Sequence, residues 1–171
     1  MQMVKRGLLL FLLLWAGVIV FMPKESLYFA LEKRLAKEGI EINEAKIEEG
    51  LFGLTLRQPV IYVEGIKVAR VQKIRMYTLL FYTSIKAENI EVEKGFHRYV
   101  PAKVEKVWFI HTLLHPLEIS VTVKGSFGTI TGMIDLKKHK IHLDVTHPEK
   151  LGILQREIKK NKKGWYYETS F

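Results

Sequence analysis

Leu117-Glu118-Ile119-Ser120-Val121-Thr122-Val123-Lys124 alternates strictly between apolar and polar side chains. Successive side chains of a strand point to opposite faces, so this segment has a dry side and a wet side, the mark of a half-buried β-strand. The same period of two governs the chain from residue 40 onward. It predicts strands over 40–47, 53–57, 60–63, 66–77 with an interruption, 84–92, 103–110, 117–124, 127–136 and 140–145. A last strand closes the chain, with Trp165, Tyr167, Thr169 and Phe171 alternating with Tyr166, Glu168 and Ser170. Turn residues separate these segments: Glu49-Gly50, Gln58-Pro59, Glu64-Gly65, Lys94-Gly95, Gly125-Ser126 and Lys137-Lys138-His139. Between the last two strands Thr146 and Glu149 have the spacing of a capping box. Leu151, Leu154 and Ile158 then recur at helical spacing, which predicts a short helix docked on the sheet.

Upstream of residue 40 the pattern is different. Lys5 and Arg6 precede an uncharged run, GLLLFLLLWAGVIVFM over 7–22, which Pro23 ends. Its apolar side chains (Leu8, Leu9, Leu10, Phe11, Leu12, Leu13, Leu14, Trp15, Val18, Ile19, Val20 and Phe21) suit lipid, where a helix satisfies its own backbone polar groups. At 1.5 Å per residue the run reaches about 24 Å, short of a ~30 Å hydrocarbon core, so Val4 and snorkelling Lys5, Arg6 and Lys24 must help bridge the difference. Phe21-Met22-Pro23-Lys24 lacks the small residues of a peptidase site, which favours an uncleaved transmembrane anchor over a removed signal peptide. Basic residues before the span keep the N-terminus cytoplasmic and put the remainder across the membrane. Over 26–38, Leu27, Ala30, Leu31 and Leu35 share one helical face, and Gly39 is placed to end the helix. Such a helix can lie on the membrane surface or plug the open end of the β-rich region.

The expected organisation is therefore an anchor over 1–25, a juxtamembrane amphipathic helix over 26–39 and one β-rich domain over 40–171. Roughly 130 residues form a single modest core. The fold class is mainly β: an N-terminal transmembrane helix, then a curled, mostly antiparallel sheet of about eight to ten strands, forming a groove or half-barrel with short flanking helices. Positions 54, 56, 74, 76, 108, 119, 121, 123 and 134 (Leu54, Leu56, Ile74, Met76, Trp108, Ile119, Val121, Val123 and Ile134) are its candidate groove or core lining. Two runs, Leu79-Leu80-Phe81-Tyr82 and Trp108-Phe109-Ile110, are apolar at consecutive positions, which predicts a sheet dry on both faces there.

Signs of chemistry are sparse. The chain has no cysteine, which excludes disulfides, thiolate metal sites and a cysteine nucleophile. His111 and His115 are four apart, but Pro116 marks a corner where that spacing has no helical meaning; His139, His142 and His147 lack a third ligand at metal-site spacing. Ser126 sits in a hairpin turn and not in a nucleophile elbow, and Gly125, Gly128 and Gly132 are followed by no phosphate-loop lysine. No catalytic residue, metal or cofactor is expected. The net charge of +9 is concentrated over 137–163, which suits anionic headgroups, an acidic partner or lysine-guarded sheet edges better than nucleic acid.

Val71-Gln72-Lys73-Ile74 and Val104-Glu105-Lys106-Val107 echo one another, each running on to a Thr-Leu-Leu corner (Thr78-Leu79-Leu80; Thr112-Leu113-Leu114) and a further strand, as two copies of one unit would. This plan of anchor, amphipathic helix, paired strands, Leu-Leu corners and a glycine-spaced hairpin at Gly125, Gly128 and Gly132 resembles the AsmA-like and type II secretion protein N group over residues 7–145. The resemblance implies a single-pass protein of the Gram-negative inner membrane whose periplasmic β-groove serves envelope biogenesis, lipid transport or secretion. It carries over no functional residue. The partners it implies are the inner-membrane bilayer, lipid or acyl chains, and envelope or secretion proteins that pair with sheet edges. The alternative is a structural subunit of a type II secretion or pilus machine with no lipid ligand.

Overall fold

The computed structural model describes residues 2–21, 23–79, 81–101, 103–162 and 164–171; of residues 2, 3 and 19–21 it describes only the backbone. Two helices, α1 (Gln2–Phe21) and α2 (Lys24–Lys37), precede twelve strands. These are β1 (Ile40–Asn43), β2 (Lys46–Gly50), β3 (Gly53–Arg57), β4 (Val60–Val63), β5 (Ile66–Leu79), β6 (Tyr82–Val92), β7 (Lys103–Thr112), β8 (His115–Gly125), β9 (Gly128–Asp135), β10 (Lys140–Val145), β11 (Lys159–Asn161) and β12 (Gly164–Ser170). All belong to one antiparallel sheet in the order β1-β4-β5-β6-β7-β8-β9-β10-β12-β11, with β3 beside β5 in line with β4, and β2 outside β3.

Several expectations change. The sheet is open and uncurled, with twelve strands instead of eight to ten, so no half-barrel forms. The strand expected over 40–47 is two, because the chain leaves the ladder at Glu44 and Ala45. The helix expected after Thr146 is a pair of short 3₁₀ turns, Pro148–Lys150 and Gly152–Glu157. There the Thr146 hydroxyl is taken up by the Thr129 backbone across the sheet instead of capping, and Gly152 turns left-handed at φ 59°. Leu79-Leu80-Phe81-Tyr82 is not a two-sided strand but the tip of the β5–β6 hairpin; Leu80 lies outside the described residues. Among the described residues no helix is long and apolar enough to cross a membrane. α1 is 20 residues, about 30 Å of helix, with Lys5 and Arg6 in its first turns.

Tyr28 holds α2 on the sheet. It is buried against Leu54, Leu56, Val71 and Ile74, and its hydroxyl donates to Glu44 Oε2 at 2.8 Å. The docked stripe thus runs through Tyr28 and Leu35, while Leu27 and Leu31 of the apolar face read from the sequence stay exposed. Gly39 ends the helix as expected, at φ 77° with its N–H on the Ala36 carbonyl. A second cluster, Val104, Phe127, Val145 and Leu151, closes the far flank, where the Phe127 ring fills the space over Gly125 that a side chain would need.

One line of irregularity crosses the sheet. Gln58 and Asn89 have positive φ (49° and 52°), Gln72 accepts the Asn89 side-chain amide, and Glu105 is the extra residue where the β7–β8 register shifts. At this line the alternation slips by one. Leu56 and Pro59, Val71 and Ile74, and Val104 and Val107 are three apart, yet both members of each pair point into the core.

Gly53 and Gly132 are the tightest points of the ladder: a Cβ would overlap the Met76 carbonyl oxygen at the first and the His142 carbonyl oxygen at the second. We expect Gly132→Ala to cost about 1–3 kcal/mol in urea unfolding, and Gly95→Ala, which meets open space, to stay within about 0.5 kcal/mol of the parent.

Candidate functional site

The pleat sorts the long strands into two unlike faces. Register partners share a face, so Leu56, Ile74, Ala87, Val107, Val123, Ile130, Val145 and Trp165 form one row across eight strands. Beside it runs a second: Leu54, Met76, Ile85, Phe109, Val121, Gly132, Leu143 and Tyr167. A third row contributes Ile119, Ile134 and Ile141. No charged residue interrupts either of the first two rows.

The structure therefore brings together eight of the nine predicted lining residues (Leu54, Leu56, Ile74, Met76, Ile119, Val121, Val123 and Ile134). Trp108 is the exception. It alternates with Val107 and Phe109, lies between Lys86 and Thr122 on the other face, and receives the Lys106 ammonium 5.9 Å from its ring centroid. Ile110 shares that face, so the Trp108-Phe109-Ile110 run is apolar on both sides of the sheet as the sequence implied.

The apolar face is sealed at its flanks and open in the middle. The α2 helix covers the β1–β3 side, and Leu151 with Ile158 covers the foot of β9 and β10. Between them Ile85, Phe109, Ile119, Ile134 and Leu143 are only half-buried. A cavity of about 320 Å³ opens from this face at the start of α2, lined by Trp15, Leu27, Tyr28, Phe52, Leu54 and Met76. It joins the apolar surface of α1, where Leu8–Leu14 are more than half exposed and Phe11 stacks on Trp15. The side chains of Ile19, Val20 and Phe21 lie outside the described residues.

The opposite face is charged. Arg57, Lys73, Glu88, Lys106 and Lys124 are successive register partners, with Arg75 and Lys86 in the next row. Glu88 is the hub: it takes hydrogen bonds from Lys86 and Arg75, each at 2.6 Å, which hold its carboxyl down at about 2. The charge of Lys86 in turn lowers the pKa of Lys106. Tyr28, by contrast, is pushed far up, first by burial and then by its bond to Glu44, so it stays a neutral donor.

No grouping here suggests covalent chemistry. The His111 ring bonds the Pro116 carbonyl at 3.0 Å, His142 meets Glu168 at 3.2 Å, and among the described residues no three His, Asp or Glu side chains converge as metal ligands. The basic excess over 137–163 is divided. Lys137 and Lys138 stand at the β9–β10 turn, Lys159 and Lys160 on edge strand β11 at the other end; Lys163 lies outside the described residues. Comparison of the chain with protein-family models, curated proteins and solved structures returns no match.

Two measurements test this geometry. Tyr28→Phe keeps the packing and loses the Glu44 bond, so it should cost about 1 kcal/mol in chemical unfolding, against about 3–5 for Tyr28→Ala. Glu88 is more acidic folded than its ordinary 4.5, so its contribution is complete above that pH and disappears as pH falls toward 2. Glu48, Glu93, Asp135 and Glu168 shift in the same direction. Glu88→Gln should therefore flatten the fall of Tm between about pH 4.5 and 2 and leave neutral-pH folding cooperative.

Proposed function

We propose that the protein is a membrane-tethered, non-catalytic component of cell-envelope biogenesis, lipid transport or secretion that holds acyl chains of phospholipid along the open part of its apolar sheet face. In this reading α1 is the anchor in a bacterial inner membrane, its N-terminus cytoplasmic and the sheet periplasmic. Tilt is unnecessary for so short an uncharged run; local thinning and snorkelling of Lys5, Arg6 and Lys24 make up its length.

The observation that carries the reading is continuity. Apolar surface runs from α1, through the cavity at Trp15 and Phe52, whose one charged lining residue, Lys24, is paired with Glu49, onto two uncharged rows that cross eight strands. An acyl chain leaving the bilayer beside α1 would meet hydrocarbon at each step and lose little of its transfer free energy, about 0.8 kcal/mol per methylene kept from water.

The second reading, a structural subunit that pairs its sheet edges with partners, is favoured by the uncovered backbone of β12 beyond Tyr166, where β11 stops. The two readings separate by photocrosslinking. A benzophenone amino acid at Phe109 or Ile119 should label phospholipid in intact membranes, the same group at Met133 or Thr122 on the charged face should not, and Val121→Glu should abolish the lipid adduct. Protein adducts at Phe109 with no co-purified lipid in native mass spectra would instead establish the assembly role.

A further inference from the structure

The connections at the two ends of the sheet are chemically unlike. At the end where α1 passes into α2, the tips carry Leu51, Phe81, Leu113, Leu114, Leu136 and Phe171, from 36% exposed at Leu136 to 87% at Leu114. They belong to the β2–β3, β5–β6, β7–β8 and β9–β10 turns and the end of β12, all on one side because the strands run antiparallel. The α1–α2 junction sits at the same end, where the Lys24 N–H donates to Glu49 at 3.1 Å, one residue from the β2–β3 turn, and Trp15 shares a cavity with Phe52 and Thr78. At the other end the tips read Glu64-Gly65, Lys94-Gly95 and Gly125-Ser126; Phe127 there is buried, and exposed apolar residues, Val63 beside Ile66, Tyr99 beside Val100, and Leu154, are flanked by Glu64, Arg98 and Arg156 and include no leucine at a hairpin tip.

Exposed leucines at hairpin tips bury nothing within the chain and cost solubility, so their restriction to the anchor end needs a partner phase. We propose that this rim is a membrane-inserting edge: the six tip residues sink into the interface of the leaflet that α1 leaves, and the sheet stands end-on to the bilayer. The charges match that setting. A cleft of about 320 Å³ between the β7–β8 and β9–β10 turns is lined by Leu114 and Leu117 on one side and by Lys137 and Lys138 on the other. Its carboxylates already have partners: Asp135 pairs with Lys138 at 3.0 Å, and Glu118 faces His115 at 3.7 Å. Lys137, which takes no part in an ion pair among the described residues, is the group that meets lipid phosphate. The rim spans eight strands, roughly 34 Å at 4.8 Å per strand, wide enough to fix the sheet's orientation instead of leaving it free to swing about Pro23. The inference rests on α1 being the anchor, and it adds the lipid surface as a second point of attachment.

Because the chain contains no cysteine, single introduced cysteines report single sites. The full chain is reconstituted in vesicles of three parts phosphatidylethanolamine to one part phosphatidylglycerol, with an NBD label at Leu10→Cys in α1, Leu114→Cys or Phe81→Cys on the rim, or Ser126→Cys at the far end. The expected result is quenching of both rim probes by doxyl-labelled lipid to at least about half the extent at Leu10, none at Ser126, and a weaker effect at Leu114 when Lys137→Glu is added. Rim probes open to aqueous iodide while Leu10 is quenched by lipid would overturn the rim and leave the anchor standing. Iodide access at Leu10 as well would remove both. Rim probes shielded from iodide and from doxyl lipid alike would show a protein contact, a second copy or another chain, and would also overturn the proposal.

Discussion

Everything in this molecule depends on keeping apolar side chains in phase on one face across strands of ten residues and more. A strand repeats every two residues without tolerance, so a single slip would turn its whole hydrophobic set outward. The protein meets the constraint with a slip of its own, placed at the same level in neighbouring strands. Gln58, Gln72, Asn89 and Glu105 form that line, and beyond it Val71, Ile90 and Val104 return to the face that Ile74, Ala87 and Val107 occupy. Asparagine at 89 suits the left-handed backbone there, and its amide bond to Gln72 satisfies polar groups that the broken ladder would otherwise strand.

The internal echo in the sequence has a structural meaning. Strands β5 and β7 flank β6 in matching register: Val71 and Val104 both oppose Ile90, Lys73 and Lys106 both oppose Glu88, and Met76 and Phe109 both oppose Ile85. The two copies sit as equivalent neighbours of one central strand, and the repeated lysines bracket the acidic hub of the charged face. Ion pairs between exposed groups contribute little singly, but a network around one carboxylate of pKa about 2 fixes register where the opposite face has no partner layer to fix it. Charge order on one side thus allows the other side to remain open.

How much could be read in advance depends on the range over which each signal acts. Strands 53–57, 60–63 and 140–145 were legible to the residue, because turn chemistry and alternation agree there. Eight of nine lining residues were legible for the same reason, since period two alone assigns a face. Trp108 was not: in Val107-Trp108-Phe109-Ile110 every residue is apolar, and only the Lys86 and Thr122 register shows which way the indole turns. The aligned slip was invisible as well, because it is a relation between four strands; one sign of it was the interruption expected within 66–77. Tyr28 was missed because Leu27 and Leu31 offered the greasier stripe, whereas docking was decided by a hydroxyl that finds Glu44. The flatness of the sheet lies beyond local pattern altogether.

The edges bear on which surface is for use. At one margin β2 presents Lys46, Glu48 and Glu49, with Glu48 bound to Arg57 at 2.8 Å; at the other, β11 is a three-residue Lys-Lys-Asn strand whose Lys160 lies 5.0 Å from the Trp165 ring centroid. Short, lysine-bearing edge strands are how sheets resist pairing with foreign strands. Where β12 runs on beyond β11, its one charged residue, Glu168, is tied to Lys140 and His142. A protein whose business was edge pairing would have no reason to guard both margins while leaving a wide apolar face half covered. The guarded edges and the bare face are what the proposed acyl-chain ligand would require, since hydrocarbon needs no backbone hydrogen bonds.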